Sequence, residues 1–493
     1  VKQASMNKID LLFAVPEECA DCGQELIYSL SLDRIMEYAE ADMISRQYFL
    51  RCLESPPTLA DNILWRQEIM RDLTSGSLLG DLRAQLTLLA NTREDFRRNR
   101  SHMRSIERVS DTQARSSLCI TAVAMRDTLN HIRNISALLS KYKLYSRGLT
   151  ALQTRMQEIT GSKAFAELQS MAGELSDLTQ RDSYTVSVAL NGSARLISRQ
   201  ITGIEKGELK YSGGVLKRMM NRPTLVMPEL SGLKLSGSEE ALRNDILGAS
   251  LRGISAYLSD ITLRLLDEFA HMAEQLRFYS AGMAYRRLMN QKGVPTCIPE
   301  ITEERALRCR GLRDLWLCVS EPVADIVVAN DLELSDSGGI LLRGENGSGK
   351  TVFLRSAGIA QLLGQSGLCI TAESASLGPR LGIYSQFASS EQGGETGPDA
   401  GRFEQEVAEL SAIIERMREK SLILLNETFQ TTSYPEGSEG LAGILSYFSR
   451  RGVSWMLVTH LTELYNNYPD PDVIRLRTVP KEFRIVAESR IHQ

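Results

Sequence analysis

The sequence contains no apolar run approaching the ~20 residues that cross a bilayer. Its start, Val1 to Lys8, holds no apolar signal core. Exported and membrane-embedded classes are therefore not expected, and the chain reads as cytoplasmic. No charge sign dominates, with 57 Lys and Arg against 61 Asp and Glu. That excludes a global basic field for nucleic acid, so any such surface must be local. Histidine is scarce, at 5, and the 8 cysteines are scattered apart from Cys19 and Cys22. A zinc site wants a second close pair or well-spaced histidines, so reduced thiols are the expectation. After Pro57 no proline occurs until Pro223. That interval is rich in Leu, Arg, Gln, Glu and Ala, which favours helices.

The 493 residues suffice for two or more domains. Residues 24–110 read as several helices. Pro57, Thr58 and Asp61 mark the start of one, with Ile63, Ile69 and Leu73 on its buried face. Helical spacing continues from Arg115 to Gln180, in Leu149, Leu152, Met156 and Ile159 and again in Leu168, Met171, Leu175 and Leu178. Gly148 and Gly161 are the expected interruptions. The period then changes to two. Tyr184, Val186, Val188 and Leu190 alternate, and Asn191 and Gly192 follow, a hairpin signal. Residues 183–237 thus read as a small β-rich insertion carrying Arg195, Arg199, Lys206, Lys210, Lys217, Arg218 and Arg222 with few acids. This suits phosphate-backbone contact better than Arg93, Arg97, Arg98, Arg100, Arg104 and Arg108 do. Glu94, Asp95 and Glu107 interrupt that second cluster, which reads as a solvated helix face.

Helix returns over Ser238 to Gln291. Ile254, Leu258, Ile261, Leu265, Phe269, Met272, Leu276, Tyr279 and Met283 step by three and four, the stripe of a long helix packed along another. At ~1.5 Å per residue it spans about 75 Å. Gly293, Pro295 and Pro299 close this region. Strand-like runs then recur at Ile326–Val328, Ile340–Leu342, Ser421–Leu425 and Trp455–Val458. Their alternation with helices predicts a mainly parallel sheet covered by helices.

Gly344, Glu345, Asn346, Gly347, Ser348, Gly349, Lys350 and Thr351 fit the phosphate-loop pattern GxxxxGK[ST]. The glycines let successive N–H groups face one cluster of phosphate oxygens. Lys350 reaches the β- and γ-phosphates, and the Thr351 hydroxyl suits Mg²⁺. An apolar strand, Gly339 to Arg343, precedes the loop. A helix, Val352 to Leu363, follows with its positive end toward the phosphates. Substrate and metal are therefore expected to be ATP and Mg²⁺. The run Leu422 to Leu425 ends in Asn426 and Glu427, where an acidic strand end would hold magnesium and polarise water. Glu427 is the candidate base; Asn426 offers an amide oxygen without charge. A lone histidine is more often a satisfied core residue, but His460 ends the next strand, where it can sense the γ-phosphate.

These residues resemble the ATPase domain of the MutS mismatch-repair family. The phosphate loop keeps that family's Asn, here Asn346. Thr432, Ser433, Glu436 and Gly437 match its loop after the catalytic Glu, and Thr459, His460, Glu463 and Leu464 match a further segment. Gly293 to Glu300 and Val328 to Leu334 resemble its approach to the ATPase. The helices and β tip resemble its core, lever and clamp. The resemblance is specific from about residue 293 to 465. Departures are Asn426 in place of aspartate, and Gly401-Arg402-Phe403 where the family's Ser-Thr-Phe loop reaches the opposite subunit's nucleotide. Arg402 and Ser433 are the trans-subunit candidates, and Glu404 or Glu406 from that loop the acids able to replace the missing charge. The chain is expected to begin at the core, without the mismatch-reading and connector domains. The family's mismatch wedge is a Phe-x-Glu; the comparable site here, Phe165-Ala-Glu167, lies inside a helical region and is not expected to be a wedge. No helix-turn-helix is evident over Val473 to Gln493.

The fold expected is α plus α/β: a long-helix core and lever, a small β-rich clamp, and a P-loop NTPase domain of ABC-like type. The domains are 1–112 core, 113–182 ascending lever, 183–237 clamp, 238–292 returning lever and 293–493 ATPase. The resemblance implies an ATPase that works as a homodimer and clamps DNA through backbone contacts, without mismatch specificity or a membrane, in repair or recombination. The alternative is an ATP-driven protein that remodels a protein or RNP partner without binding DNA. An ABC or SMC type is disfavoured because no LSGGQ-like signature lies between Lys350 and Asn426.

Overall fold

The apolar periodicity of the first half is realised as helix. In order come α1 (Gly23–Ser29), α2 (Leu32–Tyr38), α3 (Met43–Glu54), α4 (Ala60–Leu73), α5 (Leu78–Arg104), α6 (Asp111–Leu139), α7 (Arg147–Gly161) and α8 (Lys163–Leu178). These come from a computed structural model that describes residues 9–74, 76–104, 111–178, 183–190, 196–205, 237–321, 326–387, 399–429 and 434–488. Two units result. One is built on Gly80–Lys143 and Ala151–Ala273, the other on Ile9–Leu79, Leu144–Thr150 and Glu274–Gln493.

Helix α4 starts where the sequence signals it. The Glu17 carboxylate accepts the Thr58 and Leu59 N–H groups at 2.8 and 2.7 Å, ahead of the first turn. Its face of Ile63, Ile69 and Leu73 is buried, each side chain contributing roughly 1.5–3 kcal/mol. Gly148 does not break the helical run, contrary to expectation. The break lies upstream, at residues 140–146, where Asp72 accepts the Tyr145 and Ser146 N–H groups at 2.9 and 2.7 Å. Gly148 sits inside α7 for packing reasons: a Cβ there would lie 2.6 Å from Ile69 Cδ1. Gly161 does end α7.

In the first unit, Phe165 is buried in α8, a core position. Arg93 and Arg97 share Asp267, at 2.6 and 2.9 Å, and Arg98 pairs with Asp95. The side chains of Arg100 and Arg104, and all of Arg108, lie outside the described residues. Strands β1 (Ser183–Leu190) and β2 (Leu196–Glu205) form the expected antiparallel hairpin, a separate two-stranded sheet with two register shifts. Asn191 and Gly192 lie outside the described residues.

Helix α9 (Gly237–Gln291) is 55 residues long. Its stripe is shifted slightly from the one read in the sequence. Ile254, Ile261 and Leu265 are half-buried, while Ser255 and Thr262 are buried. Both conceal hydroxyls: Ser255 meets Ser117 Oγ at 2.9 Å, and Thr262 donates to the Leu258 carbonyl at 2.8 Å.

The rest of the second unit comprises β3 (Glu300–Ile301), β4 (Leu307–Leu312), α10 (Leu315–Ser320), β5 (Asn330–Leu334), β6 (Gly339–Arg343), α11 (Lys350–Gln365), β7 (Ser374–Leu377), β8 (Ile383–Phe387), α12 (Asp399–Arg416), β9 (Leu422–Asn426), α13 (Tyr434–Arg450), β10 (Ser454–Val458), α14 (Thr462–Asn467), β11 (Ile474–Val479) and β12 (Arg484–Ala487). Six strands order as β12-β11-β6-β10-β9-β8, parallel throughout except for the β11–β12 pair. Strands β9 and β10 are buried along their whole length, as strands covered on both faces must be. A second sheet, β3-β7-β4-β5, mixes directions.

Two expectations are corrected. Ile326–Val328 is not a strand: Ile326 is 63% exposed, and the strand is the alternating Asn330–Leu334 that follows. Residues Gly401 to Glu406 form no loop but lie in the first turns of α12. Val473 onward, to which the sequence assigned no element, supplies the β11–β12 hairpin. Among the described residues no helix is long and apolar enough to cross a membrane.

Candidate functional site

Strand order assembles the site. Strands β6, β10 and β9 are parallel neighbours, with Val458 level with both Leu342 and Asn426. Their carboxyl ends therefore deliver residues 344–351, 459–460 and 426–427 to one edge, where α/β sheets bind ligands. Arg343, the last residue of β6, lies 4.4 Å from the Tyr465 ring centroid and bonds Glu488 at 2.5 Å. Burial alone would raise the Glu488 pKa, but the Tyr465 hydroxyl and Arg343 guanidinium hold it below the usual carboxylate range.

The loop after β6 has the backbone its glycines permit. Gly347 and Gly349 have φ of 72° and 95°, in the left-handed region. At Gly344 any side chain is excluded, since a Cβ would lie 1.9 Å from Thr478 Oγ1. Thr478 in turn donates to Ser348 Oγ at 2.8 Å, tying the loop to β11. Helix α11 opens at Lys350 and presents its positive end to the loop. Lys350 is buried, and its Nζ donates to the Gly344 and Glu345 carbonyls at 2.9 and 3.0 Å. Glu345 and Asn346 are exposed.

Four side chains extend this group. Thr351 Oγ1 donates to Asn426 Oδ1 at 3.1 Å. Glu427 Oε1 lies 3.7 Å from Lys350 Nζ and 3.1 Å from His460 Nε2. Glu427 is itself unusual, with φ of 59°. Its N–H is held by the Val458 carbonyl at 2.9 Å. Lys350, Thr351, Asn426, Glu427 and His460, spread over more than a hundred positions of sequence, thus meet at one place. A cleft of about 590 Å³ opens beside them, with Gly347, Lys350 and Glu427 in its polar wall and Leu317, Val327 and Phe353 in its apolar wall.

Two contributors escaped the sequence reading. Phe483, in the β11–β12 turn, is half-exposed with φ of 55° and lies against Gly349, 3.6 Å from where a Cβ would stand. Asn330 fixes that turn, donating to the Phe483 carbonyl at 3.1 Å and accepting from the Ile485 N–H at 2.7 Å. The alternation of Ile474, Leu476 and Thr478 was the available signal. Glu406, expected as a metal-compensating acid, instead accepts the Phe429 N–H at 2.7 Å. Glu404 is exposed on the same helix.

The other candidates lie wholly or in part outside the described residues. Arg402 belongs to α12, but its side chain lies outside the described residues, as does Ser433 entirely. Arg195, Lys206, Lys210, Lys217 and Arg218 also lie outside them, and Arg199 is placed only by its backbone, opposite Val188 on β1. Cys22 is buried, and burial pushes its thiol well above the usual range; Cys19 shifts the same way for the same reason.

Comparison with known proteins adds two family models. One described as MutS domain V matches residues 340–480, and one described as MutS2 N-terminal domain matches residues 58–292. Among curated proteins, the chain is 31% identical over 209 residues to the Endonuclease MutS2 of Streptococcus sanguinis, covering 42% of this chain and 25% of that protein. It is 26% identical over 321 residues to the Endonuclease MutS2 of Lactobacillus helveticus, covering 62% of this chain and 39% of that protein. The chain thus spans between a quarter and two fifths of the length of these relatives.

Proposed function

The chain belongs to the MutS family, and we propose that its strand-end site binds ATP with Mg²⁺ and hydrolyses it. The observation that carries this reading is the convergence of Lys350, Thr351, Asn426, Glu427 and His460 beneath one phosphate-loop nest. The cradle suits the ligand: its loop takes the left-handed backbone that Gly347 and Gly349 permit, and it stands at a helix N-terminus. Loop N–H groups and Lys350 bind the β- and γ-phosphates. The Thr351 hydroxyl and Asn426 amide oxygen would hold the magnesium, which would supply neutralising charge when bound. Glu427 accepts a proton from the attacking water, and His460 orients Glu427 and senses the γ-phosphate. The apolar wall of the cleft takes the nucleoside.

The finer reading follows the family. Two copies share nucleotide, with Arg402 and Ser433 reaching the partner's site. The helices of 113–182 and 238–292 act as lever arms on the core of 1–112. The 183–237 insertion grips DNA phosphates through Arg195, Arg199, Lys206, Lys210, Lys217 and Arg218, without reading mismatches, in a cytoplasmic repair or recombination role. The supporting observations are the 55-residue helix α9 and the separate two-stranded hairpin.

Lys350→Ala tests the site. ATP affinity should fall by roughly a hundredfold, the ~3 kcal/mol of a lost charged hydrogen-bond partner. Unchanged affinity and turnover, measured by nucleotide titration and phosphate release, would remove the reading.

A further inference from the structure

We propose that Glu406 on α12 is the positioning residue for Glu427: its carboxylate holds, through the Phe429 N–H, the turn that aims the base. This rests on the ATPase reading above. Glu427 and Phe429 have φ of 59° and 63°, a region that residues with a Cβ occupy only when their surroundings over-determine it. Two such residues within three positions make a turn that must be held from outside.

The holding contacts are specific. Phe429 N–H donates to Glu406 Oε2 at 2.7 Å, a charged acceptor on a backbone amide and so a strong bond. The buried Thr428 hydroxyl donates to Gln386 Oε1 at 3.1 Å, and Gln386 Nε2 donates to the Glu406 carbonyl at 2.7 Å. One helical turn before Glu406, the Phe403 ring lies 5.3 Å from the Phe429 ring. Helix α12 therefore grips the turn through a carboxylate, a carbonyl and a ring. The φ of Glu427 sets the direction of its Cα–Cβ bond, and hence whether its carboxylate meets His460 and Lys350. If the Phe429 N–H loses its acceptor, the turn can relax and the carboxylate swings.

The test compares Glu406→Ala, Glu406→Asp and Glu406→Gln. Alanine removes the acceptor, aspartate keeps the charge but shortens its reach, and glutamine keeps the reach and loses the charge. Alanine and aspartate should lower kcat about ten- to a hundredfold, the scale of an ångström of misplacement. ATP affinity should stay within about twofold, because ground-state binding does not use the turn. Glutamine should remain within roughly threefold of wild type, since its amide oxygen reaches the same N–H. Hydrogen exchange of the peptide spanning Glu427 to Phe429 should lose protection in the alanine and aspartate variants and keep it in the glutamine variant. Wild-type kcat in the alanine variant, a glutamine loss equal to alanine's, or unchanged exchange would each overturn the assignment. Glu406 is half-buried on a helix and alanine is the best helix former, so folding is expected. Should alanine fail to fold, the aspartate and glutamine pair decides alone. A wild-type protein that neither binds nor hydrolyses ATP overturns the ATPase reading; an active wild type with an unaffected alanine variant overturns only Glu406.

Discussion

The strand-end site and the β1–β2 hairpin are built on opposite terms. At the site, parallel strands buried on both faces fix three strand ends side by side, and side chains remote in sequence meet within hydrogen-bonding reach. The hairpin is a two-stranded sheet whose strands, among the described residues, pair only with each other, an arrangement marginal on its own. The first arrangement holds each side chain through several elements at once; the second rests on one strand pair. Chemistry on a water and a phosphate needs the former. Contact with a repeating phosphate backbone needs only charge within reach, and tolerates the latter.

Three measurements sharpen or break that contrast. The largest effect is expected at Glu427. Glu427→Gln should slow hydrolysis by roughly 10²–10⁴ while ATP stays bound, and should trap the nucleotide-closed dimer. Hydrolysis at the wild-type rate would place the base elsewhere. Next comes the insertion. Reversing Lys206, Lys210, Lys217 and Arg218 to Glu should weaken DNA binding and flatten its dependence on log salt by about 0.9 for each phosphate no longer neutralised. DNA-free hydrolysis should be unaffected if the two regions are independent. A wild-type protein with no affinity for DNA at low salt would defeat the clamp and promote a protein or RNP partner.

The smallest effect is expected at Asn426. Its amide oxygen accepts from Thr351 but brings no charge to the metal's surroundings. If the magnesium is weakly held for that reason, Asn426→Asp should lower by several-fold the magnesium concentration for half-maximal hydrolysis. An unchanged or increased requirement would indicate that another acid already supplies the charge. A new aspartate would then crowd a second carboxylate and raise one of their pKa values.

Legibility followed the range of the forces involved. The phosphate loop was readable because its backbone demands glycine at set positions within eight residues. The buried strands were readable as apolar runs, and α9 by its period. Gly148 was misread because its reason lies in Ile69, far away in sequence, and not in local helix chemistry. Ile326–Val328 was misread because an apolar run is ambiguous until its environment is known, and this one borders a cleft. Ser255 and Thr262 are polar yet buried, because the Ser255 hydroxyl meets that of Ser117 on α6 and Thr262 donates to the carbonyl one helical turn before it.

By itself the sequence determined which chemistry the chain can attempt. Lys350, Thr351, Asn426, Glu427 and His460 stand at the ends of segments whose composition makes them strands or a helix start, and local propensity and hydrophobic period are encoded within each segment. Only the tertiary structure decided how those residues are aimed. The left-handed φ of Glu427 and Phe429, the Glu406 carboxylate on the Phe429 N–H, and Phe483 against Gly349 all depend on contacts between segments distant in the chain. No local preference favours such backbone at a glutamate or a phenylalanine. It is held there by packing and hydrogen bonds that exist only once the sheet and its helices are assembled.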